Sequence, residues 1–175
     1  MRGIAERNVE AFDECYRLLS GRVYGYIRLR LAEEADVEDV LQDTFLAVWN
    51  QGSSFAGQSK VSSFVLGIAR HKLVDKLRHK QRQLANHPYD SGDEHPEEAK
   101  EGFESNVVQR LSWEAALLTL PDDSRELLYL VFLERWSYAD IAAFLSIAEG
   151  TVKSRVHSLK ARLRTLLGEE GWNHE

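Results

Sequence analysis

Apolar positions recur at intervals of three and four residues through most of this chain, the period of helices packed on one side. The clearest stripe is Val152, Val156, Leu159, Leu163 and Leu166. At about 100° per residue, the opposite face of that helix carries Ser154, His157, Ser158 and Ala161. Lys153, Arg155, Lys160 and Arg162 flank this face on both sides. A shorter apolar side, Ile141, Ala142, Phe144 and Leu145, precedes it. Ser137 with Asp140 three residues on predicts a capped start for that shorter helix. The turn between the two, residues 146–150, reads SIAEG. It puts Ser146 where a left-handed backbone is expected and where glycine is better tolerated.

Five further segments carry the same period. Phe12, Tyr16, Leu19, Val23, Tyr26 and Ile27 predict one helix, or two short ones, over residues 8–30. Gly21 and Gly25 leave both options open. Val37, Val40, Leu41, Phe45 and Val48 form the buried side of residues 35–51, with Asp36 a candidate cap. Leu66, Ala69, Leu73 and Leu77 do the same for a helix ending near residue 83. Val108, Leu111, Ala115 and Leu118, widened by Trp113 and Leu117, predict a helix before Pro121. Leu127, Leu128, Val131 and Phe132 are the core candidates of the helix after it. No segment alternates as a strand does, so the chain is expected to be all-α.

The 175 residues suffice for one domain or two small ones, and 43% hydrophobic content is enough to bury a core. Residues 84–106 hold two prolines, two glycines, dense acids and few apolar side chains, the composition of a flexible linker. The expected organisation is therefore residues 1–83, a linker over 84–106, a second helical domain over 107–168 ending in a helix-turn-helix, and a tail over 169–175. No apolar run reaches the roughly 18 residues of a membrane span. The first residues lack the apolar segment of a signal peptide. A single cysteine, Cys15, excludes an internal disulfide and a cysteine metal cage. A cytoplasmic protein with a buried thiol is expected.

Net charge is −6, which by itself argues against nucleic acid. Its distribution argues otherwise. Residues 33–43 carry six acids and no base, residues 70–82 six bases against Asp75, and residues 90–104 seven acids against Lys100. The last helix is basic again. Two basic segments suggest two contacts with one polyanion.

Small side chains let the helix over residues 152–166 approach a groove, and basic shoulders reach the phosphates beside it. That is the layout of a helix-turn-helix in the DNA major groove. The pattern also suits a core helix with a solvated basic face. The acidic face over residues 36–49 is either solvated or a protein-docking face with Trp49 as an anchor. Phe55, in the Gly/Ser-rich loop over residues 51–63, is either a lid on its own core or a stacking surface for an unpaired base. His71, His79, His87 and His95 recur every eight residues, a spacing that fits neither a helix face nor a ligand set. With no nucleophile–base pair, phosphate loop or metal-ligand cluster, neither catalysis nor a cofactor is expected.

Taken in order, DVEDVLQDTFLAVWN, FAGQSKVSSFVLGIARHKLVDKLRHKQR and LPDDSRELLYLVFLERWSYADIAAFLSIAEGTVKSRVHSLKARLR resemble the extracytoplasmic-function (ECF) group of bacterial RNA polymerase sigma factors. The resemblance runs over about residues 8–167. It implies an alternative sigma factor that binds core RNA polymerase and promoter DNA and is held by an anti-sigma factor. Asp36, Glu38, Asp39, Gln42, Asp43 and Trp49 fall on the family's polymerase-binding helix. Phe55, Ser59 and Lys60 fall in the loop that holds a flipped-out base of the −10 element, and His71, Lys72, Asp75 and Arg78 on the helix that continues this contact. Glu149, Gly150, Thr151, Lys153, Ser154, Arg155, His157, Ser158, Lys160 and Arg162 fall on the helix that reads the −35 element. On the residues alone, a stand-alone helix-turn-helix regulator with a sensing or dimerising N-terminal domain is the alternative.

Overall fold

The computed structural model describes residues 1–57, 59–86 and 119–167. These residues are helical, with no strand among them, and the chain divides into two compact units, Met1–Gly92 and Asp93–Glu175. The expected linker beyond Asn86, the helix carrying Val108, Leu111, Trp113, Ala115, Leu117 and Leu118, and the tail with Trp172 lie outside the described residues.

The first unit contains α1 (Arg2–Ala5), α2 (Val9–Arg28), α3 (Glu34–Gln51), a 3-10 turn (Gly52–Ser54) and α4 (Val61–Asn86). Asn8 starts α2, its side-chain oxygen accepting from the Ala11 amide at 2.7 Å. Neither Gly21 nor Gly25 breaks this helix. Packing on α3 and α4 outweighs the roughly 1 kcal/mol that an interior glycine costs. Val23, Tyr26 and Ile27 of α2 meet Val37, Val40, Phe45 and Val48 of α3 and Val65, Leu66, Ala69 and Leu73 of α4, all buried. Thr44 is also buried, and its hydroxyl donates to the Val40 carbonyl at 2.7 Å, so the core holds it without an unmet polar group. The Cys15 thiol is buried as expected, and burial pushes its pKa up. Asp36 does not cap α3. Glu33 occupies that position without a side-chain bond, and Asp36 lies in the first turn, drawn to lysines on α4.

The second unit contains α5 (Asp122–Leu128), which runs into a π turn (Tyr129–Leu133), then α6 (Tyr138–Leu145) and α7 (Glu149–Leu167). Leu127 and Leu128 are buried as the pattern predicts. Val131 and Phe132 are not. Tyr129 and Leu130 are buried in their place. In the π turn the Glu134 amide donates to the Tyr129 carbonyl at 3.0 Å, five residues back, so the regular 3.6-residue period lapses from Tyr129 on. Trp136 then packs edge-on against Phe144, ring centroids 5.1 Å apart.

Ser137 caps α6, its hydroxyl accepting from the Asp140 amide at 3.1 Å. Ser146 closes it in the left-handed region, φ 56° and ψ 43°. The Ile147 amide donates to the Ala142 carbonyl and the Ser146 amide to Ala143, the Schellman pairing. A side chain at this φ is strained, so Ser146→Gly is expected to stabilise the unit by about 0.5–1 kcal/mol, measured as a higher urea midpoint. Val152, Val156, Leu159 and Leu163 are buried on α7. Leu166, assigned to the same stripe, is 40% exposed near the helix end.

Candidate functional site

On α7 the residues opposite the buried stripe face outward. Glu149, Gly150, Lys153, Ser154, Arg155, His157, Ser158 and Arg162 are exposed, and Thr151 and Lys160 are half-buried. One shoulder holds Lys153, whose ammonium lies 2.9 Å from Glu149, and Lys160, which sits over the Phe132 ring. The other holds Arg155, 3.8 Å from Asp123, and Arg162, which donates to the Thr119 carbonyl at 3.3 Å. Exposed pairs of this kind contribute little, about 0–1 kcal/mol, and exchange readily for phosphate oxygens. Ser124, Leu127, Ser154, Arg155, Ser158 and Arg162 are among the residues lining a groove of about 380 Å³ along this second shoulder. The arrangement is a rigid helix with a floor of small side chains between two basic edges, the shape that enters a major groove.

In the first unit the acidic and basic runs partly neutralise each other. The Lys76 ammonium lies 2.8 Å from one oxygen of Asp36 and 3.0 Å from Asp39, and Lys80 takes the other oxygen of Asp36. Asp36 is only 19% exposed in this clamp between α3 and α4. Hydrogen bonds from Lys76 and then Lys80 hold the Asp36 carboxyl below its ordinary value, and Asp36 with Asp39 raises Lys76. Above the unfolded carboxylate pKa, about 3.9, the Asp36 contribution is fully present, and it is lost as pH falls through the lower folded value. The Lys76 contribution is present below about pH 10.4 and lost as pH rises through its raised folded value. Asp36→Asn is therefore expected to cost about 1–2 kcal/mol at pH 7, with the difference from the parent chain shrinking below pH 3 in urea titrations.

The rest of the acidic face stays outside. Glu38, Gln42 and Asp43 are exposed, and so is Leu46 (59%), one turn further along α3. Leu46 went unnoticed because it sits in the apolar run Phe45 to Trp49, where the pattern does not single out the one residue turned outward. Trp49 is half-buried, edge-on to Phe12 at 5.3 Å and covered by the Arg7 guanidinium, also 5.3 Å from the ring.

His71, Lys72 and Asp75 come together on α4. With Gln51, Ser63, Phe64 and Gly67 among its walls, they line a groove of about 560 Å³ between α3 and α4. Phe55 is half-buried and meets Phe64 of that wall at 5.2 Å, so the loop aromatic is tied to the groove's edge. Ser59 and Lys60 are exposed just before α4. Arg78 lies beyond the groove, 3.9 Å from Asp75. Among the described residues no group of His, Cys, Asp or Glu is placed to hold a metal ion.

Residues 15–83 match the sigma-70 region 2 family, and residues 110–163 match sigma-70 region 4. The ECF RNA polymerase sigma factor SigM of Mycobacterium tuberculosis is 32% identical over 158 residues, 90% of this chain and 78% of the relative. The sigma factor CarQ of Myxococcus xanthus is 30% identical over 160 residues, 91% of each chain. Among solved structures, the sigma factor RpoE of Bartonella quintana, in complex with the anti-sigma factor NepR, has a TM-score of 0.74 at 25% identity, covering 90% of this chain and 97% of that one. CnrH, in complex with the cytosolic domain of CnrY, shares the fold at a TM-score of 0.68 and 23% identity, covering 95% and 93%. Regions 2 and 4 together define the sigma factors, which are transcription-initiation proteins and not enzymes. The chain belongs to their ECF group and is an alternative sigma factor.

Proposed function

We propose that the two units divide promoter recognition between them. Residues 1–83 bind core polymerase and engage the −10 element, residues 107–168 read the −35 element, residues 84–106 link them, and residues 169–175 form a tail. The observation that carries this is the outward face of α7, where Ser154, His157 and Ser158 lie between the basic edges of Lys153 with Lys160 and Arg155 with Arg162. Glu149, Gly150 and Thr151 enter the groove at the start of that helix.

In the first unit Asp36, Glu38, Asp39, Gln42, Asp43 and Trp49 dock on polymerase. Phe55, Ser59 and Lys60, continued by His71, Lys72, Asp75 and Arg78, hold an unstacked base of the opened strand. Extruding a base costs a few kcal/mol of stacking, which contacts in a groove offset. The net charge of −6 weakens binding of the free chain to DNA, so useful affinity arises once polymerase is bound. The protein acts in the cytoplasm beside polymerase. No helix among the described residues is long and apolar enough to cross a membrane. The RpoE likeness, solved with NepR, supports an anti-sigma partner here as well.

Run-off transcription tests the proposal, using core polymerase and promoter fragments from the source genome, with and without this chain. New discrete start sites that need both proteins are expected, and Arg155→Ala should lower their yield about ten- to a hundredfold on promoters dependent on the upstream element. Specific duplex binding without polymerase, and no new starts with it, would favour a stand-alone regulator.

A further inference from the structure

Residues 1–8 carry no periodic pattern, yet they are built into the first unit by close contacts. Ile4 is fully buried, although it sits on a helix of only four residues. A Cβ at Gly52 would stand 2.8 Å from Ile4 Cγ2 and 3.1 Å from the Ala5 amide nitrogen. A Cβ at Gly3 would stand 2.7 Å from the Ala11 side chain on α2. The segment therefore lies flush against α2 on one side and the 3-10 turn on the other, at two positions that only glycine fits. Arg7 completes the hook. Its backbone turns back at φ 60°, and its guanidinium covers Trp49 and donates to the Trp49 carbonyl at 3.3 Å, one of the terminal acceptors of α3.

What the hook grips is the entry to the loop that carries Phe55, Ser59 and Lys60. Gly52–Ser54 follows α3 directly and hands the chain to Phe55. Beyond the hook, this loop is tied by the Ser54 hydroxyl donating to the Gln51 carbonyl at 2.7 Å and by the Phe55–Phe64 ring contact. Ala56, Gly57, Ser59 and Lys60 are exposed. Phe64 fixes the far side and the hook fixes the near side.

We propose that this N-terminal hook, through Ile4 against Gly52, is a positioning element for promoter opening, holding Gly52–Ser54 and with it Phe55 in the geometry that receives an unstacked base. The proposal rests on the assignment of Phe55, Ser59 and Lys60 to the −10 contact. Ile4 and Gly52 touch no DNA themselves. They lower the ordering cost of the loop before the base arrives.

The test uses the full chain with core polymerase on a promoter from the transcription assay. The chains compared are the parent, Gly52→Ala, Ile4→Ala, the double variant and Phe55→Ala. Opening rates are read on duplex DNA and on a template already unpaired across the −10 element, alongside polymerase affinity and the thermal midpoint. Gly52→Ala and Ile4→Ala are each expected to slow duplex opening about tenfold. The pre-opened template should recover most of that loss, with polymerase affinity unchanged. The double variant should be no slower than the worse single one, because removing Cγ2 relieves the closest contact the new methyl would make. An equal loss on both templates would mean a general folding defect and would overturn the proposal. If Phe55→Ala slows opening and neither hook variant does, the hook has no positioning role and the −10 assignment survives. If Phe55→Ala has no effect, the −10 assignment falls and the hook proposal falls with it.

Discussion

Asp43→Lys is expected to weaken binding to core polymerase about ten- to a hundredfold while leaving the thermal midpoint unchanged. Asp43 is exposed on α3 and lies outside the network that ties Asp36 and Asp39 to α4. Reversing its charge therefore removes an attraction to a basic partner and adds a repulsion, without breaking a contact within the fold. Asp39 is a poorer probe, since it also holds Lys76. Leu46 stands one turn on from Gln42 and Asp43 with 59% of its surface in water. An exposed leucine rimmed by polar groups is a candidate anchor, and Leu46→Ala should weaken docking in the same assay. Fluorescence anisotropy of a labelled chain titrated with core polymerase measures both. Unchanged affinity for Asp43→Lys would move the docking face off this side of α3.

The second large effect is structural. Leu130→Ala is expected to cost about 2–5 kcal/mol, the usual loss for a fully buried leucine. Leu130 is 0% exposed. A small helical unit has little stability in reserve, so much of the second unit should unfold at room temperature. Transcription that depends on the upstream element should fail with it. Val131→Ala, at a half-buried position, should cost about 1 kcal/mol or less. Urea titrations followed by circular dichroism compare the two. The reverse order of costs would mean that Val131, and not Leu130, is the core position of this segment.

That pair of positions marks where sequence pattern runs out. A regular period predicts Val131 and Phe132 inside, because it assumes 3.6 residues in every turn. From Tyr129 to Leu133 the chain runs in a π turn, whose five-residue hydrogen bond the pattern cannot reveal. The stripe on α7 was legible for the opposite reason. Its spacing is regular from Val152 to Leu163, and the Ser137 cap and the Ser146 turn are local signals set by nearest neighbours. The same holds in part for α2, α3 and α4. Val23, Tyr26, Ile27, Val37, Val40, Phe45, Val48, Leu66, Ala69 and Leu73 are buried as their periods predict, but Tyr16 is 43% exposed and Phe12, Leu19, Leu41 and Leu77 are only half-buried.

By itself the sequence determined the all-helical class, the helix-turn-helix with its outward face, the buried cysteine and the resemblance to the ECF sigma factors, because these depend on local period, capping and motif order. Tertiary structure alone decided three things. It pinned Lys76 and Lys80 onto Asp39 and Asp36, pairs 37 and 44 positions apart, so that charge runs legible as two open surfaces are partly closed on each other. It set the side of α4 that carries His71, Lys72 and Asp75 against Ala47 and Gln51 of α3, making a groove. It folded residues 1–8 into a hook against Gly52 and Trp49. The physical reason is common to all three. Each is a contact between segments far apart along the chain, fixed by helices packing on a shared core, and no local period encodes the partner.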